Sequence, residues 1–279
     1  MNTPRVQALA QAVARVPCVP DVLLALLDLG ERYDASDSVI RIVSRDQALV
    51  ALILRVANSA FYRMSGRIGS LEAATRVLGT RNTRDLAIAA ASRALIPLPA
   101  GTCFEADAFW RHSCATAVCA REISVSVGQD PELAFTAGLL HDFGRLVMVA
   151  GFPELFDQLL KAQETAQGDR LNAEQLVFGF DHGTAGGALA ELWRLPPPIA
   201  AAMANHHLGD DHAPDPLADL VHLADAIAHA LDFGAGPHDH VPPLSDAACA
   251  RLRVDWPALR ASLGALERLS REMMLNLID

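Results

Sequence analysis

Aromatic residues make up only 5% of this 279-residue chain, although 51% of it is hydrophobic. Ala and Leu fill the deficit, and both favour helix over the β-branched and aromatic mix that suits a sheet. No segment shows convincing period-two alternation, so a sheet protein is disfavoured and the fold class reads as all-α. Basic residues are also short: 23 Lys and Arg against 33 Asp and Glu give a net charge of −10. The cations are scattered rather than gathered into a stripe, which removes the electrostatic footprint of a duplex-binding domain, and no direct duplex nucleic-acid partner is expected. A phosphate could still be held locally through a metal ion, whose charge dominates at short range.

Cysteine is sparse and unpaired in pattern. Cys18, Cys103, Cys114, Cys119 and Cys249 include no C-x-x-C pair, which excludes a disulfide framework or a cysteine-rich zinc site. They read as small buried hydrophobes in a reducing compartment. Long apolar runs are missing too: the most apolar segment, 139–152, is interrupted by His141, Asp142 and Arg145. The N-terminus has no charged start, apolar stretch and cleavage site of a secretion signal. The expectation is a cytoplasmic protein without a membrane partner.

Helix-period patterns run almost from end to end, through Val22, Leu23, Leu26, Leu27 and Leu29, then Leu49, Leu52, Ile53 and Val56. Leu52, Ile53 and Val56 are expected to face a core. Ser70 ahead of Leu71, Ala74 and Leu78, with Gly79 after them, predicts a short helix with both caps. Two prolines and a glycine in 96–102 cannot continue a helix. A boundary there predicts an N-terminal helical subdomain over 1–102 and a second helical subdomain with a C-terminal helix over 103–279, a length that suits one large domain or two sharing a core. Further breaker-rich loops fall at 210–215 and 234–243. Leu259, Leu263, Leu266 and Met273 mark one face of a long amphipathic C-terminal helix.

All ten histidines lie at or beyond His112. In order come His112, the pair His141-Asp142, His182 after Asp181, the pair His206-His207, and then Asp225 in a helical context. Imidazoles and carboxylates delivered from separate helices into a bundle core suit Fe, Mn or Zn, while carboxylate with water suits Mg. Two carboxylates partly neutralise such an ion, and neutral histidines fill further positions. An open position would leave room for a water whose pKa the ion lowers, as phosphoester hydrolysis requires. The other reading of the same residues is a hydrogen-bonded His/Asp network holding helices in register without metal. If His141 and Asp142 share one helix, their side chains point about 100° apart, so both reach one site only from different sides or by bridging two ions.

The order His112, His141-Asp142, Asp225 resembles the HD superfamily of metal-dependent phosphohydrolases, and His182 with His206-His207 is similar to the extra ligands of its HD-GYP branch. The rest of the chain is more similar to the HDOD branch. Asp46-Gln47-Ala48-Leu49 and the stretch Leu54-Arg55-Val56-Ala57-Asn58-Ser59-Ala60-Phe61-Tyr62 resemble its motifs, as do Trp110-Arg111-His112-Ser113 and the residues Ala134 to Asp142. The likeness spans roughly residues 16 to 232, and several separate motifs in order make it specific.

The resemblance implies an HD-superfamily helical bundle with an N-terminal helical subdomain. It further implies a bacterial regulatory module that binds a partner signalling protein or a small nucleotide-like ligand, with one divalent ion or two at His112, His141, Asp142, His182, His206, His207 and Asp225. HDOD proteins are commonly regarded as having lost catalysis, so enzyme activity stays open, and the alternative is a metal-dependent phosphohydrolase acting on a nucleotide or cyclic dinucleotide. Leu208-Gly209-Asp210 departs from the HD-GYP pattern. Arg145 stands where that branch has a phosphate-contacting lysine, and it could hold a phosphate bidentately. His222 and His229 are expected at the surface, His212, His238 and His240 in loops, and Trp110 and Trp193 in the core. Asn58 and Ser59 are expected to bond the end of a helix.

Overall fold

The computed structural model describes residues 3–29, 35–59, 68–165, 170–207, 214–233 and 240–277, and no strand occurs among them. The all-α expectation holds there. Ala60, Phe61, Tyr62, His212, His238 and most of the loops at 210–215 and 234–243 lie outside the described residues.

The chain divides into two compact units: Cys18–Leu95, and Met1–Pro17 together with Ile96–Met274. The division at Ile96 coincides with the proline-rich break. The first seventeen residues, assigned by sequence to the N-terminal subdomain, group instead with the later unit. Their helix α1 (Thr3–Val13) packs on α9 (Phe143–Gly151) and α12 (His182–Leu192), and the Trp193 indole donates to the Pro17 carbonyl at 3.0 Å.

The smaller unit holds α2 (Asp21–Leu27), α3 (Ala35–Val43), α4 (Gln47–Ala57), α5 (Leu71–Leu78) and α6 (Thr80–Arg93), with α6 packed against the other four. Asp46 starts α4 by accepting from the Ala48 and Leu49 N–H groups at 2.9 and 3.2 Å, satisfying donors that a helix start leaves without partners. Leu49, Ile53, Val56 and Ala57 are buried, the i, i+4, i+7, i+8 stripe of an amphipathic helix. Leu52, expected on that face, is only partly buried, because it falls one position to the side of the stripe. Asn58 closes the helix as anticipated: its amide donates to Leu54 and Ile68 carbonyls at 2.8 Å each and accepts from Ile68 N–H at 2.8 Å. Ser70 caps α5, accepting from Ala73 N–H, and Gly79 ends it at φ 84°.

The larger unit also contains α7 (Ala106–Val127), α8 (Pro131–Leu140), α10 (Pro153–Thr165), α11 (Arg170–Phe178), α13 (Pro197–Asn205), α14 (Pro216–Ala230), α15 (Asp246–Leu252) and, as far as Met274, α16 (Trp256–Leu277). Helix α7 runs through its centre against α8 and α14. Pro131–Gly151 is long and apolar enough to cross a membrane by composition, yet 83% of its most apolar window is buried in the protein. Leu266 of α16 joins the core of Cys119, Ile123, Leu220 and Leu223, with Leu259 and Leu263 packed beside it. Cys114, Cys119 and Cys249 are buried as expected, whereas Cys18 and Cys103 are exposed, since both sit in connecting segments where backbone polar groups keep to water.

Ile53 is fully buried and Leu52 is not, so truncation at the two adjacent positions should differ. Ile53→Ala should cost about 2 to 5 kcal/mol through lost burial and a residual cavity, and Leu52→Ala clearly less. Urea denaturation of the two variants measures this, and equal losses would contradict the helix face.

Candidate metal centre

Helix α8 ends at Leu140 and α9 begins at Phe143, leaving His141 and Asp142 at the junction. The 100° separation expected on a continuous helix therefore does not apply, and both side chains enter one cluster. Asp142 is the N-cap residue of α9, yet its carboxylate makes no capping bond. Asp46, Asp130, Asp181 and Asp215 occupy the same kind of position and all cap their helices. Asp142 instead faces histidines, with Oδ1 at 3.1 Å from His182 Nε2, 3.7 Å from His206 Nε2 and 3.9 Å from His141 Nε2.

Two glycines allow this approach. A Cβ on Gly144 would collide with the His182 carbonyl oxygen, and one on Gly183 would stand 2.7 Å from the Ala204 carbonyl oxygen. Their bare backbones let α9 meet the start of α12, and α12 meet the end of α13. Asp181 caps α12 by accepting from Thr184 N–H at 2.7 Å, which fixes His182 at the first helical position. His206 follows the end of α13, with its ring 4.1 Å from that of His207. On the other side His112 of α7 and Asp225 of α14 meet at 2.9 Å, and His141 Nε2 lies 3.3 Å from His112 Nε2 and 3.6 Å from Asp225 Oδ1.

The histidines are oriented through their second nitrogens. His141 Nδ1 lies 2.7 Å from the Gly138 carbonyl, His206 Nδ1 lies 3.2 Å from the Ala202 carbonyl, and His182 Nδ1 lies 2.7 Å from Glu174 Oε2. Carbonyls and carboxylates only accept, so each neutral ring carries its proton on Nδ1 and presents a bare Nε2 to the centre. His182 Nε2 and His206 Nε2 then face each other at 3.3 Å, lone pair toward lone pair when both rings are neutral, with Asp142 Oδ1 beside them. Such a set of converging acceptors suits a cation. Ligand atoms about 2.0 to 2.1 Å from a tetrahedral ion stand roughly 3.3 Å apart, which matches these separations. Three groups bring one donor atom from each member within 4.8 Å of the rest: Asp142 with His182, His206 and His207; His112 with His141 and Asp142; and His112 with Asp225 and His229.

Charge follows the same pattern. Burial works against ionisation of Asp142, but His141, His182 and Arg145 outweigh it and hold the carboxyl well below its usual range. Burial likewise opposes the charge on Asp225, and the neighbouring imidazoles of His112, His141 and His229 outweigh it and hold the carboxyl well below its usual range. Burial, with His229 nearby, pushes His112 down to about 4. Burial also lowers His206 and, more strongly, His207. His182 is raised, because Glu174 and Asp142 overcome its burial. The cluster thus combines anionic carboxylates with mainly neutral imidazoles, the state in which both ligate.

All seven expected ligand residues come together. Arg145 Nη1 pairs with Asp142 Oδ2 at 3.1 Å, and its side chain is 20% exposed. The surface assignments of His222 and His229 are wrong. His222 is buried, donating from Nδ1 to the His206 carbonyl at 2.9 Å and accepting at Nε2 from Ser245 N–H at 3.1 Å. His229 Nε2 lies 3.3 Å from Asp225 Oδ1. Both sit on α14, which is buried from 217 through 228, and the His229 side chain beyond that run is still only 7% exposed. Glu174, buried and bonded to both the His182 ring and its backbone N–H, was missed. No motif marks it, since it acts from a separate helix. Trp110 and Trp193 are buried against Phe143, and His240 is exposed.

The HDOD domain model matches residues 16–208. A Treponema pallidum protein of uncharacterised function is 26% identical over 241 residues, covering 84% of this chain and 46% of its own length. The chain thus spans about half the length of that relative. A provisionally named phosphohydrolase from Shewanella amazonensis SB2B is 28% identical, with TM-score 0.73 and coverage of 97% of this chain and 98% of the other. A provisionally named signal transduction protein from Marinobacter aquaeolei VT8 has TM-score 0.77 at 22% identity, covering 98% and 65%. The HD-superfamily helical bundle expected from the motifs is the fold these likenesses share.

His222→Ala would remove the donor to the His206 carbonyl and the acceptor of Ser245 N–H inside the protein. Each buried group left unsatisfied costs about 1 to 3 kcal/mol, so the variant should unfold at clearly lower denaturant. A loss under about 0.5 kcal/mol, the range of surface substitutions, would contradict this placement.

Proposed function

Because the chain belongs to the HDOD domain family, we propose that it is a signalling module whose His/Asp cluster holds divalent metal and which acts by binding a small nucleotide-like ligand or a partner signalling protein. The observation that carries the metal reading is the 3.3 Å approach of His182 Nε2 to His206 Nε2 while both Nδ1 atoms are committed to acceptors. Asp142, His182, His206 and His207 would hold an ion, with His112, His141 and Asp225 adjoining. Several imidazoles with two carboxylates favour Fe, Mn or Zn over Mg. Bound there, a divalent ion would supply Lewis acidity toward a phosphoryl oxygen.

The chain's own groups have separable tasks. Glu174 orients the His182 ring, the Gly138 and Ala202 carbonyls orient His141 and His206, and Asp142 contributes charge that neutral rings lack. Arg145, anchored by Asp142 and partly exposed, is the contact for an anionic group of a ligand. The family supports the regulatory reading, as does the name of the Marinobacter protein. The second reading, a metal-dependent phosphohydrolase, is favoured by the completeness of the ligand set and by the name of the Shewanella protein.

Protein purified without an affinity tag should contain divalent transition metal and lose it to chelator. Asp142→Ala should remove the ion held with His182, His206 and His207, and Asp142→Asn, which keeps the shape but not the charge, should weaken its binding nearly as much. Elemental analysis decides the metal reading, and a metal-free wild type that cannot be loaded with Mn, Fe or Zn would end it. Loaded protein that leaves nucleotides and cyclic dinucleotides intact is the expected result, whereas turnover lost in Asp142→Ala would establish the hydrolase instead.

A further inference from the structure

We propose that His229 is a metal ligand and that with His112 and Asp225 it forms a second site for a divalent transition ion, beside the set of Asp142, His182, His206 and His207. This rests on the metal-holding reading above. The family-like ligand order ends at Asp225, so no motif assigns His229 a role. The spacing i, i+4 on α14 stacks its ring over Asp225, with Nε2 3.3 Å from Oδ1 and the His229 side chain only 7% exposed. From α7, His112 Nε2 reaches the same oxygen at 2.9 Å, and the two imidazole rings lie 4.3 Å apart, inclined by 34°.

Hydrogen bonding satisfies only part of this arrangement. Asp225 Oδ1 is approached by three Nε2 atoms, those of His112 at 2.9 Å, His229 at 3.3 Å and His141 at 3.6 Å. His112 and His229 can fill the roughly two lone-pair directions of that oxygen, while His141, with its proton held toward the Gly138 carbonyl, has none to give at Nε2. The other oxygen, Asp225 Oδ2, is buried without a hydrogen-bond partner among the described residues, and so is His112 Nδ1. A cation on the Nε2 side uses the lone pairs of all three groups. Two imidazoles and one carboxylate form a nitrogen-rich set of the kind preferred by zinc, iron and manganese rather than by magnesium or calcium.

The test is metal stoichiometry of the full chain, stripped and reloaded with Co2+ or Mn2+, then dialysed and read by elemental analysis beside circular dichroism. Wild type should hold about two ions per chain. His229→Gln keeps a side chain able to donate to Asp225 but offers a poor ligand, and should fall to about one ion with an unchanged helical spectrum. His229→Asp restores an ionic ligand and should return toward two, although it sets two carboxylates side by side that only a cation would reconcile. His182→Ala should lose the other ion and keep this one. Wild-type stoichiometry in His229→Gln overturns the proposal while leaving the metal-holding module intact, as does loss of both ions together. If His229→Gln loses its helical spectrum, His229→Asp decides: two ions support the site and one ion overturns it. A wild type that holds no ion overturns both this site and the reading on which it rests.

Discussion

Asp142 and Asp225 are 2% and 1% exposed, and two carboxylates taken out of water must be compensated or the fold would not keep them ionised. Leaving a buried charge uncompensated costs several kcal/mol. The larger unit is organised around that constraint. Helices α7, α12, α13 and α14 each deliver a histidine or carboxylate to the same place, and the α8–α9 junction delivers one of each. The rings in turn are held by main-chain carbonyls at Gly138 and Ala202 and by Glu174, so the orientation of the cluster is tied to the ends of the helices that carry it.

The same constraint explains features that are costly or neutral elsewhere. Asp142 gives up the capping bond that four other aspartates make at equivalent positions, and α9 begins without that support. Gly144 and Gly183 accept the entropic penalty of glycine near helix starts because a Cβ at either position would meet backbone. His222 links the His206 carbonyl to Ser245 ahead of α15, so the end of α13 and the chain entering α15 are coupled through one imidazole. A shift of any of these helix ends would reach the cluster through bonds rather than through solvent.

Much of this was legible in the sequence because it depends on local chemistry. Low aromatic content with abundant Ala and Leu, helix-period apolar residues, and caps such as Ser70 and Asp46 specify helices from interactions within a few residues. The break at 96–102 follows from what proline cannot do. The His-Asp pair, the His pair and the lone Asp225 could be named as one set because metal ligands are limited to few residue types and several matched motifs appear in order.

Tertiary structure decided the rest, because it depends on residues far apart in the chain and on which side of a helix meets a neighbour. The face of α4 omits Leu52, and the burial of α14 extends to His222 and His229, since width of contact is set by the packing partners and not by the periodicity of one segment. Residues 1–17 join the larger unit through contacts with α9 and α12, more than a hundred positions away. Glu174 belongs to the site only because α11 lies beside the start of α12 in space. The sequence by itself determined that this chain is helical and carries a metal-type set of histidines and aspartates. Only the fold decided that Asp142 faces those histidines instead of capping its helix, because that choice is made by the close approach of α9 to α12, an interaction no local pattern encodes.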